Sequence, residues 1–202
     1  MCDILFTAGT LIMINNPFVA APFSVSGLLA RSGGSMVSDD TVGMERAQAD
    51  LMVCIYADDA PGIRALFKKN STDRLAASLS ASKYFPVHAA VLLGGGAVLS
   101  TLIDLLPAAA LDIYDTAGLT PLMCAARHGQ VAAIHTLLAG KAPVDTTDRS
   151  GYSALMWAAM SGFVDATTVL LGYEVYADDR AQPVGIDRQD HNGDTALILA
   201  IR

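Results

Sequence analysis

Cys124 and His128 stand four residues apart, the spacing that puts two side chains on one face of a helix. A thiol beside an imidazole could be a nucleophile with its base, or half of a metal site. Structural zinc wants four ligands, yet no second ligand pair is visible and no CxxC occurs. A free buried thiol is the simpler reading of Cys124. Two acidic pairs, Asp58 with Asp59 and Asp178 with Asp179, have the residue type for general acid–base work. Both fall where turns are expected, and aspartate is favoured in turns for local reasons. Gly94, Gly95 and Gly96 are a turn rather than a phosphate cradle, since no GxxxxGKS/T follows and no strand precedes them. No GxSxG, HExxH or kinase-type motif is present. The reading is a non-enzymatic chain with no catalytic residue, no cofactor and no metal.

The elements that would hold these residues are clearest from Asp115 to Thr147, DTAGLTPLMCAARHGQVAAIHTLLAGKAPVDTT. Asp115 and Gly118 fit the first and last positions of a type I turn. Thr120 can cap a helix, and Pro121 follows at the first helical position, where no backbone donor is lost. Gly129 ends that helix, and Ile134, Leu137 and Leu138 give a second one its apolar stripe. The unit restarts at Asp148, 33 residues on, with Ser153 in the capping place of Thr120. It restarts again at Asp190, 42 residues further, after an acidic loop within Glu174 to Gln189. That copy stops inside its first helix.

Upstream, Pro86, Val87, His88 and Ala90 match Pro121, Leu122, Met123 and Ala125 at an offset of 35. Leu102, Leu105 and Leu106 match Ile134, Leu137 and Leu138 at an offset of 32, which predicts three extra residues around the triple glycine. Helices are expected from Met44 to Ala57 and from Pro61 to Lys69, where Ile63, Leu66 and Phe67 repeat the same stripe and Asn70 ends it. Trp157 reads as core.

Residues 1–46 differ from the rest. From Ile4 to Ala30 there is no charge, but no basic residue precedes the run, and Asn15, Asn16, Pro17 and Pro22 interrupt it. A signal peptide or membrane span is disfavoured, and the segment reads as a poorly ordered tail or as an apolar segment packed against the first helices, followed by a small polar linker at Arg31 to Asp40. Three widely spaced cysteines make no disulfide framework, which places the chain in a reducing, cytoplasmic setting with the nucleus left open. A net charge of −7 leaves no dense basic stripe for nucleic acid.

These residues resemble the ankyrin repeat, whose pattern runs D-x-x-G-x-T-P-L-H-x-A-A-x-x-G and then V-x-x-L-L. The resemblance is strongest over Asp115–Thr147 and Asp148–Gly162, returns over Asp190–Arg202, and is in register over Pro86–Leu106 and Ile63–Asn70. It implies an all-α solenoid of stacked helix–turn–helix pairs, about four repeats plus a truncated fifth, over residues 47–202. It also implies that the chain is a scaffold binding another protein through its turns and inner helices. The turn residues carried over are Thr116, Ala117 and Leu119, then Arg149, Ser150 and Tyr152, then His191, Asn192 and Asp194. The inner-helix pairs are Arg127 with His128 and Met160 with Ser161. Tyr152 and Arg149 stand out, because aromatic and Arg side chains supply most interface hot spots. The family histidine survives only as His88, and Met123, Met156 and Ile198 take its place elsewhere, which predicts looser coupling between copies. Gly140 and Gly172 fall before the family glycine, which predicts distorted helix ends. Two rival readings stay open: a regulatory fragment of a larger multidomain enzyme such as a kinase, and a membrane-attached adaptor using residues 4–30.

Overall fold

A computed structural model of the chain describes residues 4–7, 10–13, 23–24, 39–70, 85–177, 180–183 and 185–201. Residues 31–38 of the linker expected at Arg31 to Asp40, and the Asp178/Asp179 pair, lie outside the described residues, while Asp39 and Asp40 belong to a helix instead. The chain divides into two compact units, Met1–Thr41 and Val42–Arg202. In the first unit β1 (Ile4–Thr7), β2 (Thr10–Met13) and β3 (Phe23–Ser24) form an antiparallel sheet in that order, with Ile4 opposite Met13 and Leu11 opposite Phe23.

The second unit is built from helix pairs whose ends are set by short-range chemistry. Helix α1 (Asp39–Tyr56) turns into α2 (Ala60–Lys69) through Asp58, which adopts a positive φ of 53°. Asp59 then caps α2 by accepting from the Gly62 N–H at 2.9 Å. The acidic pair Asp58/Asp59 is thus helix punctuation. Helices α3 (Pro86–Leu93) and α4 (Gly96–Leu105) follow, joined by Gly94 at φ 71°. Next come α5 (Pro121–Arg127) and α6 (Val131–Ala139), then α7 (Ala154–Met160) and α8 (Val164–Gly172), with Gly129 and Gly162 at φ 65° and 73° in the same place. Thr120 caps α5 through the Met123 N–H, Ser153 caps α7 through that of Met156, and Thr195 reaches Ile198 at the start of α9 (Ala196–Ile201). The first two are the caps that the sequence predicts.

Packing alternates along the stack. The first helices α3, α5, α7 and α9 lie side by side, and so do the second helices α2, α4, α6 and α8. Between the two rows runs one apolar column that includes Ile63, Leu99, Leu102, Leu122, Ile134, Leu137, Leu155 and Leu170, all essentially without solvent contact. Such a layered array draws its stability from contacts with immediate neighbours.

Two sequence expectations change in detail. The triple glycine holds no insertion. Gly94 and Gly95 are the whole turn, and Gly94 matches Gly129 at the same offset as Pro86 matches Pro121. Leu99 and Leu102, not Leu102 and Leu105, are the counterparts of Ile134 and Leu137, and the extra length lies after α4 in a 3-10 turn at Ala108–Leu111. The loop after α8 carries a hairpin, β4 (Glu174–Ala177) with β5 (Arg180–Pro183), Glu174 opposite Pro183. Beyond it, Gly185 N–H donates to Asp145 Oδ1 at 3.3 Å, and the Arg188 guanidinium donates to the Asp145 carbonyl.

The early glycine at the end of α6 does distort that end. Lys141 takes the left-handed conformation, φ 61°, that glycine usually supplies. Gly140 is needed where it stands, since a Cβ there would lie 2.6 Å from the Ile103 side chain of α4.

Candidate protein-binding surface

Each Asp-x-x-Gly turn folds around its aspartate. Asp115 Oδ1 accepts from the N–H groups of Ala117 and Leu119, both at 2.9 Å, while the Asp115 N–H donates to the Leu119 carbonyl. Asp148 does the same with Ser150 and Tyr152, and Asp190 with Asn192 and Asp194. The glycine of each turn sits at a positive φ of 82–86°, which closes the loop without a Cβ penalty. The turns line up: Arg149 lies against Gly118, His191 lies against Gly151, and the His191 N–H donates to the Ser150 carbonyl at 3.1 Å. Because every turn aspartate faces inward, the residues after it (Thr116, Arg149 and His191) face solvent.

Behind the turns, three units meet in one polar–aromatic cluster. The Arg127 guanidinium from the end of α5 lies over the Trp157 ring of α7, 4.9 Å from its centroid. Tyr152 meets the same indole edge to face at 5.4 Å. Trp157 Nε1 donates to Asp148 Oδ2 at 3.2 Å, and the Tyr152 hydroxyl comes close enough to the Asp190 carboxylate of the next turn to interact with it electrostatically. Partial desolvation and the neighbouring Asp190 push the Tyr152 phenol above its ordinary value, so it stays a donor. Desolvation raises the Asp190 carboxyl, but bonds from the N–H groups of Asp194 and Asn192 and from the Asn192 side chain, with the nearby Tyr152 hydroxyl, outweigh it and hold the group below its usual value.

A family model for ankyrin repeats, in three copies, matches residues 87–181. Residues 87–181 carry ankyrin repeats. No curated protein matches it in sequence. Ankyrin repeats are protein–protein interaction modules, generally non-catalytic, and the helices from α3 to α8 are consistent with the helix–turn–helix pairs of that family.

Within the ankyrin stack the carried-over residues separate into three groups. Arg127 and Tyr152 converge on Trp157, and Arg149, Ser150, His191, Asn192 and Thr116 form the exposed edge of the turns. Met160 and Ser161 are exposed at the end of α7, and His128 is exposed at the end of α5. Leu119 and Asp194 are corrections: they are 2% and 7% exposed, so neither is a surface contact. They share the turn-closing position with Tyr152, but only Tyr152 is long enough to reach past the turn.

Trp157 is the residue that sequence reasoning misplaced. It is half-buried at the rim rather than core, and three polar groups or rings fix it there. The available signal was its position: it stands where Cys124 stands one unit earlier, on the inner helix, with an Arg at the end of the neighbouring copy. The ankyrin helix also settles the Cys124/His128 pair. His128 Nδ1 lies 2.9 Å from the Cys124 carbonyl, which only accepts, so that nitrogen carries the proton and, although 4.0 Å from the Cys124 Sγ, has no lone pair free to act as its base. Burial, then Asp115, push the Cys124 thiol up to about 12 against a smaller opposing effect of Arg127, which leaves no thiolate near neutrality. Among the described residues no group of three or more metal-ligating side chains converges, and no helix is long and apolar enough to cross a membrane.

Proposed function

We propose that this chain acts as a non-enzymatic scaffold that holds a protein partner against the row of turns and the inner helices, centred on Arg127, Tyr152 and Trp157. The observation that carries the reading is the convergence of these three side chains, contributed by α5, a turn and α7, at the rim of one face. Trp, Tyr and Arg are the residue types that dominate binding hot spots. Held by stacking and by the bond from Trp157 to Asp148, they lose little side-chain freedom when a partner arrives. We extend the repeat array over residues 47–202, supported by α2 packing on α4 and α9 packing on α7. A reducing, cytoplasmic setting belongs to the same reading, supported by the free thiols Cys54 and Cys124.

Affinity capture with Trp157→Ala tests it. The wild-type chain is expected to retain a discrete set of proteins that the variant loses while keeping its helical spectrum. Equal recovery by both chains would remove this cluster from the interface.

A further inference from the structure

The cluster holds an asymmetry of charge. Its carboxylates are spent: Asp148 takes two backbone N–H groups and the indole, and Asp190 takes two backbone N–H groups and the Asn192 amide. Its cation is not. Among the described residues Arg127 meets the indole face and no carboxylate, and stacking leaves the in-plane N–H donors of a guanidinium available. A planar guanidinium fixed in this way matches a carboxylate in bidentate geometry.

Near the ends of α5 and α7 the surface carries exposed apolar side chains among polar atoms. Met160 follows Trp157 by one helical turn on α7, and the Phe163 ring covers Gly129, where a Cβ would meet it at 2.5 Å. A groove of about 310 Å³ opens there, lined by Gly129, Val131, Phe163, Val164 and Asp165. Val164 is 74% exposed, and Met160 and Phe163 also face solvent. Asp165 lines the groove as well, and disfavours a second anion there. With a chain charge of −7, a polyanionic run is repelled. One acid at the Arg127 end and apolar side chains in the groove satisfy all of these constraints.

Resting on the binding role given above, we infer that the Arg127 end of this face reads a short peptide segment in which a single Asp or Glu is followed or preceded by large apolar side chains. Arg127 takes the carboxylate, and Phe163, Val164 and Met160 take the apolar part.

The test is a displayed library of random twelve-residue peptides, selected on the full chain as wild type, Arg127→Gln and Arg127→Lys. Enriched peptides are expected to carry one acidic residue beside Leu, Ile, Phe or Met. A synthesised representative should shift the emission of Trp157, the chain's one tryptophan, and should bind Arg127→Gln about tenfold or more weakly, the scale of a lost charged hydrogen bond. Arg127→Lys should recover part of that loss. Enrichment without acidic residues, or undiminished binding by Arg127→Gln, overturns the inference and leaves the scaffold role standing. No enrichment on the wild-type chain overturns both for peptide partners.

Discussion

Two junctions along the stack are tied by different means. Where α3 meets the turn at Asp115, His88 is buried and its Nε2 donates to the Leu119 carbonyl at 2.9 Å. That carbonyl also accepts from the Asp115 N–H, so both of its lone pairs are used. One unit on, the equivalent position is Met123, fully buried and without a donor, and the Tyr152 carbonyl takes only the Asp148 N–H among the described residues. At the far junction Met156 again replaces histidine. There the link moves outward, into the His191 N–H donating to the Ser150 carbonyl, with the Asp190 carboxylate as an electrostatic neighbour of Tyr152. A buried polar tie serves rigidity. A surface tie serves rigidity and leaves aromatic and guanidinium groups where a partner can reach them. The expected loosening of His-less junctions is thus offset by contacts that a residue-by-residue match to the family pattern does not contain.

If the comparison is right, neither tie is the main source of stability, because both junctions share the same apolar column. Leu137→Ala, in α6 between them, should cost about 2–5 kcal/mol in denaturant unfolding, as for other fully buried leucines. A loss below that of either polar tie would break the ranking. His88→Met, which copies the arrangement of the other junctions, should cost about 1 kcal/mol at neutral pH for one net hydrogen bond. Its pH dependence is the sharper signature. Burial lowers the His88 pKa below 6.5, against smaller opposing effects of the Leu119 bond and Asp115. The unfolded chain therefore binds the proton first, and wild-type stability should fall as pH drops below 6.5 toward the folded value. His88→Met should flatten that part of the acid slope. An identical slope in both chains would show that His88 does not titrate on unfolding.

The fold was legible because punctuation is local. Thr120 with Pro121, Ser153, and the three Asp-x-x-Gly turns act through hydrogen bonds within four residues, so residue type and spacing suffice. Register within a helix was less legible. A helix nearly repeats after three or four residues, so Leu99, Leu102, Leu105 and Leu106 offer two stripes that look alike. Choosing the wrong one placed an insertion at Gly94–Gly96 that actually lies beyond Leu105. Surface exposure at the turn-closing position was not legible at all. Leu119, Tyr152 and Asp194 occupy it in turn, and their exposure depends on what the next unit presents. Trp157 was misplaced for the same reason: its partners, Arg127 and Asp148, are adjacent only once the helices stack.

The central claim is that this rim is where a partner sits, and site-specific photocrosslinking in cells tests it most directly. With p-benzoylphenylalanine at Tyr152, discrete covalent adducts are expected, and with the same group at His135, exposed on α6, they are not. Adducts of equal identity and yield from both positions, or none from Tyr152, would contradict the account.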